Sequence, residues 1–155
     1  MNHSYEKLID PGSYQVFLFF SNAVMPFSFA THPWFVVNNK GDISRWEIIV
    51  DRENLKQFVR EDFCKPLLGS AVFPLGKKFY FKSKLLGYIT GDESSSAKQM
   101  VDCILKSREE YLFKDEYGFL GPNSNTYAQW ILDMFPEFKG KLQWNSFGKG
   151  YKRKG

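Results

Sequence analysis

The chain has little that would support metal or redox chemistry: its 155 residues include only two cysteines and two histidines. Two cysteines cannot build a disulfide-dense secreted scaffold, and the separation of Cys64 from Cys103 fits no zinc-ligand pattern. With His3 and His32 alone, a histidine-rich metal centre is excluded, and no cofactor or metal is expected. Walker A loops, Rossmann glycine fingerprints and HExxH are all lacking. Asn22, Pro26, His32 and Pro33 interrupt the apolar stretch from Val16 to Val37, so no run reaches the ~20 residues of a membrane helix. The opening segment sets Glu6 and Asp10 against Lys7 and has no signal-peptide n-region. These absences predict a cytoplasmic protein without a membrane span, with Cys64 and Cys103 as free, partly buried structural thiols.

What is present is apolar mass. Hydrophobic residues make up 43% of the chain and aromatics 18%, enough for one domain over 1–155 to bury a core. Residues 1–13 are expected to be a loose N-terminus and 149–155 a basic tail. The net charge of +4 is uneven. Lys149, Lys152, Arg153 and Lys154 crowd the tail, and Lys77, Lys78, Lys82 and Lys84 form a second cluster. Such clusters can neutralise phosphates. No nucleic-acid motif accompanies them, so they read as a solubilising tail and a lysine-guarded strand edge.

Aromatic and β-branched density predicts strands at Tyr14–Phe20, Phe27–Val37 and Ile43–Val50. The last two form a hairpin about the turn Asn38-Asn39-Lys40-Gly41-Asp42, and Pro33 marks an edge or a bulge. Leu55, Phe58 and Val59 share one face of a short helix expected over Asn54–Phe63. Further strand lies in Phe79–Thr90, with Gly87 a bulge. A serine among 94–96 caps an amphipathic helix carrying Ala97, Met100, Val101, Ile104, Leu105 and Leu112. The turn Gly121-Pro-Asn-Ser-Asn-Thr126 leads into a last helix, Tyr127–Phe135, ended by Pro136. The order predicts an α+β fold, an antiparallel sheet packed against helices.

Hydroxyl-based covalent catalysis needs a nucleophile at an exposed corner, a base in reach, and a group orienting the base. Ser124 opens a helix, where backbone amides near Ser124 and Asn125 can stabilise an oxyanion. His32 is the one histidine inside the folded region. Strand alternation puts it on a face with Trp34 and Val36, opposite Phe35 and Val37. Glu47 lies on the next strand: directly opposite or one diagonal step away, it orients the imidazole, whereas a one-residue slip removes it. Arg45 shares Glu47's face and offers to neutralise it. Each element has an ordinary alternative. Asn123 and Ser124 are common capping residues, a histidine beside tryptophan is often packed, and a Glu–Arg pair is usually solvated.

The segments His32-Pro-Trp-Phe-Val-Val, Arg45-Trp-Glu-Ile and Gly121-Pro-Asn-Ser-Asn-Thr-Tyr resemble a bacterial family of unknown function with H-x-W-F, R-Y/W-E and GPNSNT motifs. Asn145-Ser-Phe-Gly-Lys149 resembles that family's closing segment, and the likeness spans roughly residues 14–151. The family is in turn distantly similar to the circularly permuted papain-like superfamily, which includes NlpC-type peptidases and lecithin–retinol acyltransferases. That similarity implies a permuted papain-like fold. It places an imidazole base at His32, an orienting group at Glu47 and the nucleophile at Ser124, after Asn123. The chain departs from the pattern in having serine where those enzymes have cysteine, and a hydroxyl needs much stronger base assistance than a thiol.

Three functions follow as expectations. The first is an amide or ester hydrolase or acyltransferase using Ser124, His32 and Glu47 on a small-molecule, peptide or acyl substrate. The second is a silent binding module in the same cleft, with Trp34, Trp46 and Trp130 as apolar walls and Asn123, Asn125 and His32 as polar contacts. The third, ranked last, is an anionic-surface binder using the lysines.

Overall fold

A computed structural model describes residues 5–23, 29–51, 53–72, 77 and 79–152. Five antiparallel strands form the main sheet: β1 (Tyr14–Asn22), β2 (Thr31–Asn39), β3 (Asp42–Asp51), β4 (Lys56–Glu61) and β7 (Lys84–Gly91), in the order β4-β3-β2-β1-β7. β5 (Ala71–Val72) and β6 (Phe79–Tyr80) form a small second sheet. Helices α1 (Ser96–Glu110) and α2 (Ser124–Met134) complete an α+β fold.

β1 and β2 are buried on both faces, which is why they read as nearly unbroken apolar runs. Val16, Leu18, Phe35, Val37, Trp46 and Ile48 point to the helices and pack on Met100, Ile104, Tyr127 and Ile131. Phe17, Phe19, Trp34 and Val36 point the other way, under Tyr5, Leu8, Ile9 and Leu67. The period-two assignment around His32 is thus as expected.

The β2–β3 hairpin closes at Asn39↔Asp42 around Lys40 and Gly41, with φ of 51° and 97°. Two consecutive positive φ angles give the turn whose twist matches the flanking strands. Asn38 Oδ1 accepts the Gly41 amide at 2.7 Å, so the asparagine stabilises the turn. Gly87 does sit at an irregularity, where the β1–β7 register shifts between Leu18 and Phe19. Ser95 caps α1, accepting Lys98 N at 3.3 Å. That helix ends at Glu110, leaving Leu112 outside it.

Other expectations are corrected. Lys56–Glu61 is a strand and not a helix: Gln57 and Val59 are buried between exposed neighbours, and Val59 pairs with Ile48. Residues 5–13 lie against the main sheet. Asp10 N donates to Gln15 Oε1 at 2.8 Å, Asn38 Nδ2 donates to Asp10 O at 2.7 Å, and Tyr5, Leu8 and Ile9 cover the second core. The tail is part of the fold as far as Tyr151, whose ring meets Phe113 edge-on at 5.5 Å. Phe27, Lys78, Arg153 and Lys154 lie outside the described residues. Among the described residues no helix is long and apolar enough to cross a membrane.

Candidate active site

The ladder between β2 and β3 is shorter than either strand. It runs from Asn39↔Asp42 to Phe35↔Trp46 and stops. β2 continues against β1 to Thr31, and β3 against β4 to Asp51. Pro33 falls in the parted stretch and has no amide hydrogen for a rung, so an interior strand acquires local edge character. A cavity of about 660 Å³ has its lining there, within the size range of small-molecule sites. Thr31 and His32 line it from β2, Glu47 to Val50 from β3, Cys64 from the loop after β4, and Asn123 to Asn125 from the start of α2. Leu55, Phe63, Phe119 and Phe147 add apolar wall.

The register makes Glu47 a diagonal neighbour of His32, one of the two arrangements that bring them together. His32 Nε2 lies 2.7 Å from Glu47 Oε2, and the glutamate is nearly fully buried. Arg45, wholly buried, donates from Nη2 to the same oxygen at 2.8 Å, and its Nε lies 2.6 Å from Oε1. This is no solvated pair: two opposite charges leave water together, which close geometry and further hydrogen bonds must offset. Burial pushes the Glu47 carboxyl up, but the hydrogen bond and charge of His32, with Arg45, outweigh it and hold Glu47 below its ordinary range. An anionic Glu47 accepts, so in the neutral imidazole Nε2 carries the hydrogen and Nδ1 keeps its lone pair. Among the described residues no hydrogen bond reaches Nδ1.

Arg45 also fixes what surrounds it. Its Nη1 donates to the carbonyls of Lys65, at 3.1 Å, and Leu68, and its guanidinium lies 4.0 Å from the Trp34 ring centre. The loop that follows β4 is therefore tied to the residue that holds Glu47.

The start of α2 is tied down from the other side. Asn123 Oδ1 accepts the amides of Asn125 and Thr126 at 2.9 and 3.3 Å, while Thr126 Oγ1 accepts Asn123 N at 3.1 Å. This capping box consumes the Asn125 amide. Asn125 Nδ2 donates to Thr31 O at 3.2 Å and Phe147 O at 2.9 Å, joining the helix start to the neighbour of His32. Gly148, with φ of 91°, is where the returning chain crosses: a Cβ there would lie 2.5 Å from the Asn123 amide. The Ser124 hydroxyl and amide meet no partner among the described residues, His32 included.

One family model, described as a protein of unknown function, matches residues 14–151 and so covers this whole arrangement. The chain belongs to the DUF3750 family. No curated protein and no solved structure matches it.

In this DUF3750 member the expected residues divide. His32, Glu47, Asn123, Ser124 and Asn125 line one cavity, with His32 and Glu47 in direct contact. The polar atoms of Asn123 and Asn125, however, are committed to capping and to holding neighbouring chain, and so are not offered to a ligand. An oxyanion site using the Asn125 amide is likewise ruled out by the cap. Trp34 and Trp46 are not cavity walls. Trp34 is fully buried beneath Arg45, donating to Pro66 O at 2.9 Å, and Trp46 faces the opposite core, donating to Ser44 Oγ at 2.9 Å. Trp130 packs on that core as well. Ile48, Ile49, Val50 and Phe63 do the lining instead. Cys64, read as structural from its place before Lys65-Pro66, lines the cavity, and no local pattern signals it.

Proposed function

We propose that this protein is an acyl hydrolase or acyltransferase of the permuted papain-like type, acting on an ester or amide with a largely apolar acyl group. The observation that carries the reading is the buried Glu47 on His32 Nε2, which leaves Nδ1 as a proton acceptor on a residue that also lines the cavity. Ser124 lies on the same lining with a free hydroxyl at a helix start. The motif resemblance to NlpC-type peptidases and lecithin–retinol acyltransferases implies the same roles for these residues.

In this mechanism His32 Nδ1 takes the Ser124 proton as Oγ bonds to the acyl carbon. The Ser124 amide donates to the developing oxyanion. The departing alcohol or amine receives the proton from His32, and water or an acceptor then releases the acyl group. Apolar walls favour an acyl substrate over a highly charged one.

Intact-mass analysis after treatment with a broad fluorophosphonate tests it. One stoichiometric adduct on the parent, absent from folded Ser124→Ala and His32→Ala, is expected. A folded parent that takes no adduct removes Ser124 as nucleophile.

A specific observation favours a second reading, a silent binding module. Ser124 makes no hydrogen bond to His32, and one helix-start amide is spent on the cap. This reading predicts saturable binding of an apolar ligand without product.

A further inference from the structure

We infer that Cys64 is an acyl-accepting nucleophile of this cavity, served by the same His32. The inference rests on the reading of His32 as a base and does not require Ser124 to react. Cys64 is not an isolated thiol. It lines the cavity together with His32 and Glu47, and it is half-buried. Its neighbours on both sides are anchored on Arg45: Asp62 Oδ1 accepts Arg45 N at 2.7 Å, and Lys65 O accepts Arg45 Nη1 at 3.1 Å. Arg45 in turn holds Glu47, and Glu47 holds His32. One guanidinium therefore sets both the base and the loop carrying the thiol, while Asn125 and Thr31 bring Ser124 to the same lining.

The chemistry favours sulfur at this base. Glu47 is shared, since the same Oε2 meets both His32 Nε2 and Arg45 Nη2. A hydroxyl demands a strong base, whereas a thiol gives up its proton far more readily. Cys64 thus offers the sulfur that the sequence lacks at Ser124, from a different loop.

The step balances without a co-reactant. Cys64 gives its proton to His32 Nδ1, and the thiolate adds to the acyl carbonyl carbon. The tetrahedral adduct collapses with loss of the ester oxygen or amide nitrogen, which takes the proton back from His32. A thioester remains on Cys64. Water, or an acceptor hydroxyl or amine, then loses a proton to His32 and attacks that thioester, and the thiolate is reprotonated as it leaves.

Cys103 supplies an internal control, because burial and the charge of Glu110 push its thiol up to about 11. The experiment exposes the full chain at neutral pH to limiting iodoacetamide, and separately to p-nitrophenyl octanoate, with peptide mass mapping. The expected result is Cys64 carboxamidomethylated at least about tenfold faster than Cys103. It should also carry a neutral-hydroxylamine-labile octanoyl adduct in the parent and in Ser124→Ala. Both signals should fall about tenfold in His32→Gln, a variant whose fold is checked by thermal melting. Rapid alkylation that His32→Gln leaves unchanged identifies a merely accessible thiol and overturns the inference. So does octanoylation confined to Ser124, or no acyl adduct on Cys64 in the parent. A fluorophosphonate adduct on Ser124 reports separately on the serine reading, so each nucleophile fails on its own measurement.

Discussion

Glu47 sits one diagonal step from His32 across the parted strands, and the 2.7 Å contact between Oε2 and Nε2 spans the place where the ladder has stopped. With no backbone rungs beyond Phe35↔Trp46, side chains take over the work of holding β2 and β3 at a fixed separation. His32, Glu47 and Arg45 form that clasp, while Thr31 ties the end of β2 to α2 through Asn125 and to the C-terminal segment, its Oγ1 2.7 Å from Ser146 Oγ. The cavity is therefore held open by polar groups that are themselves mostly buried.

Replacing Glu47 by Gln keeps the shape but leaves Arg45 buried opposite a neutral amide. Breaking one member of a buried pair costs about 3–5 kcal/mol. Chemical denaturation of Glu47→Gln is expected to show a loss of that order, along with weaker reaction at the cavity nucleophile. A loss within experimental error would mean that Arg45 finds its compensation elsewhere.

The same pair predicts an acid limb in stability. Glu47 titrates below its ordinary value of 4.5 in the folded protein, so its contribution is fully present above that value. It is lost as pH falls from there through the folded pKa, because the unfolded chain takes up the proton first. Denaturation midpoints measured from neutrality into this acid range should drop in the parent and drop less in Glu47→Gln. Parallel curves would assign the acid limb to other carboxylates.

Much of the sheet is legible in the sequence because its signals are local. The alternation around His32-Pro-Trp-Phe, the apolar run of β1 and the Lys40-Gly41 turn each act within a few residues. β4 is not legible. Leu55, Phe58 and Val59 sit at spacings that also suit a helix, and only pairing with β3 selects the strand, burying Gln57 so that its Nε2 reaches Phe113 O at 2.6 Å. The site divides in the same way. His32 with Glu47 is readable once the hairpin is recognised, since its register has few options. The burial of Trp34 and the arrival of Cys64 depend on Arg45 gathering a loop some twenty residues later in the chain, as its bond to Lys65 shows, whereas Trp46 is buried in the core on the helix side of the sheet.

Asn123 and Ser124 are adjacent and should behave oppositely. Asn123 accepts two helix-start amides and directs its own amide at the carbonyls of Gly118, Phe119 and Phe147. Removing it costs a cap and leaves buried groups unpaired, about 2 kcal/mol or more. Ser124 has no such partners, so Ser124→Ala should stay within about 0.5 kcal/mol of the parent while changing the chemistry. Thermal melts of the two variants side by side make the comparison. A large loss in Ser124→Ala would recast the serine as structural.

Phe63 tests whether the apolar wall reads the acyl group. It lines the cavity yet is 60% exposed, so it stands at the mouth. Truncation there removes little buried area, and Phe63→Ala should leave stability within about 0.5 kcal/mol of the parent. A bound chain long enough to reach the mouth loses that contact, whereas a short acyl group seated near His32 does not. KM for an octanoyl ester is therefore expected to rise about three- to tenfold, with KM for an acetyl ester nearly unchanged. An equal rise for both esters would mean that Phe63 shapes the site as a whole. No rise for either would place the acyl chain along a different wall.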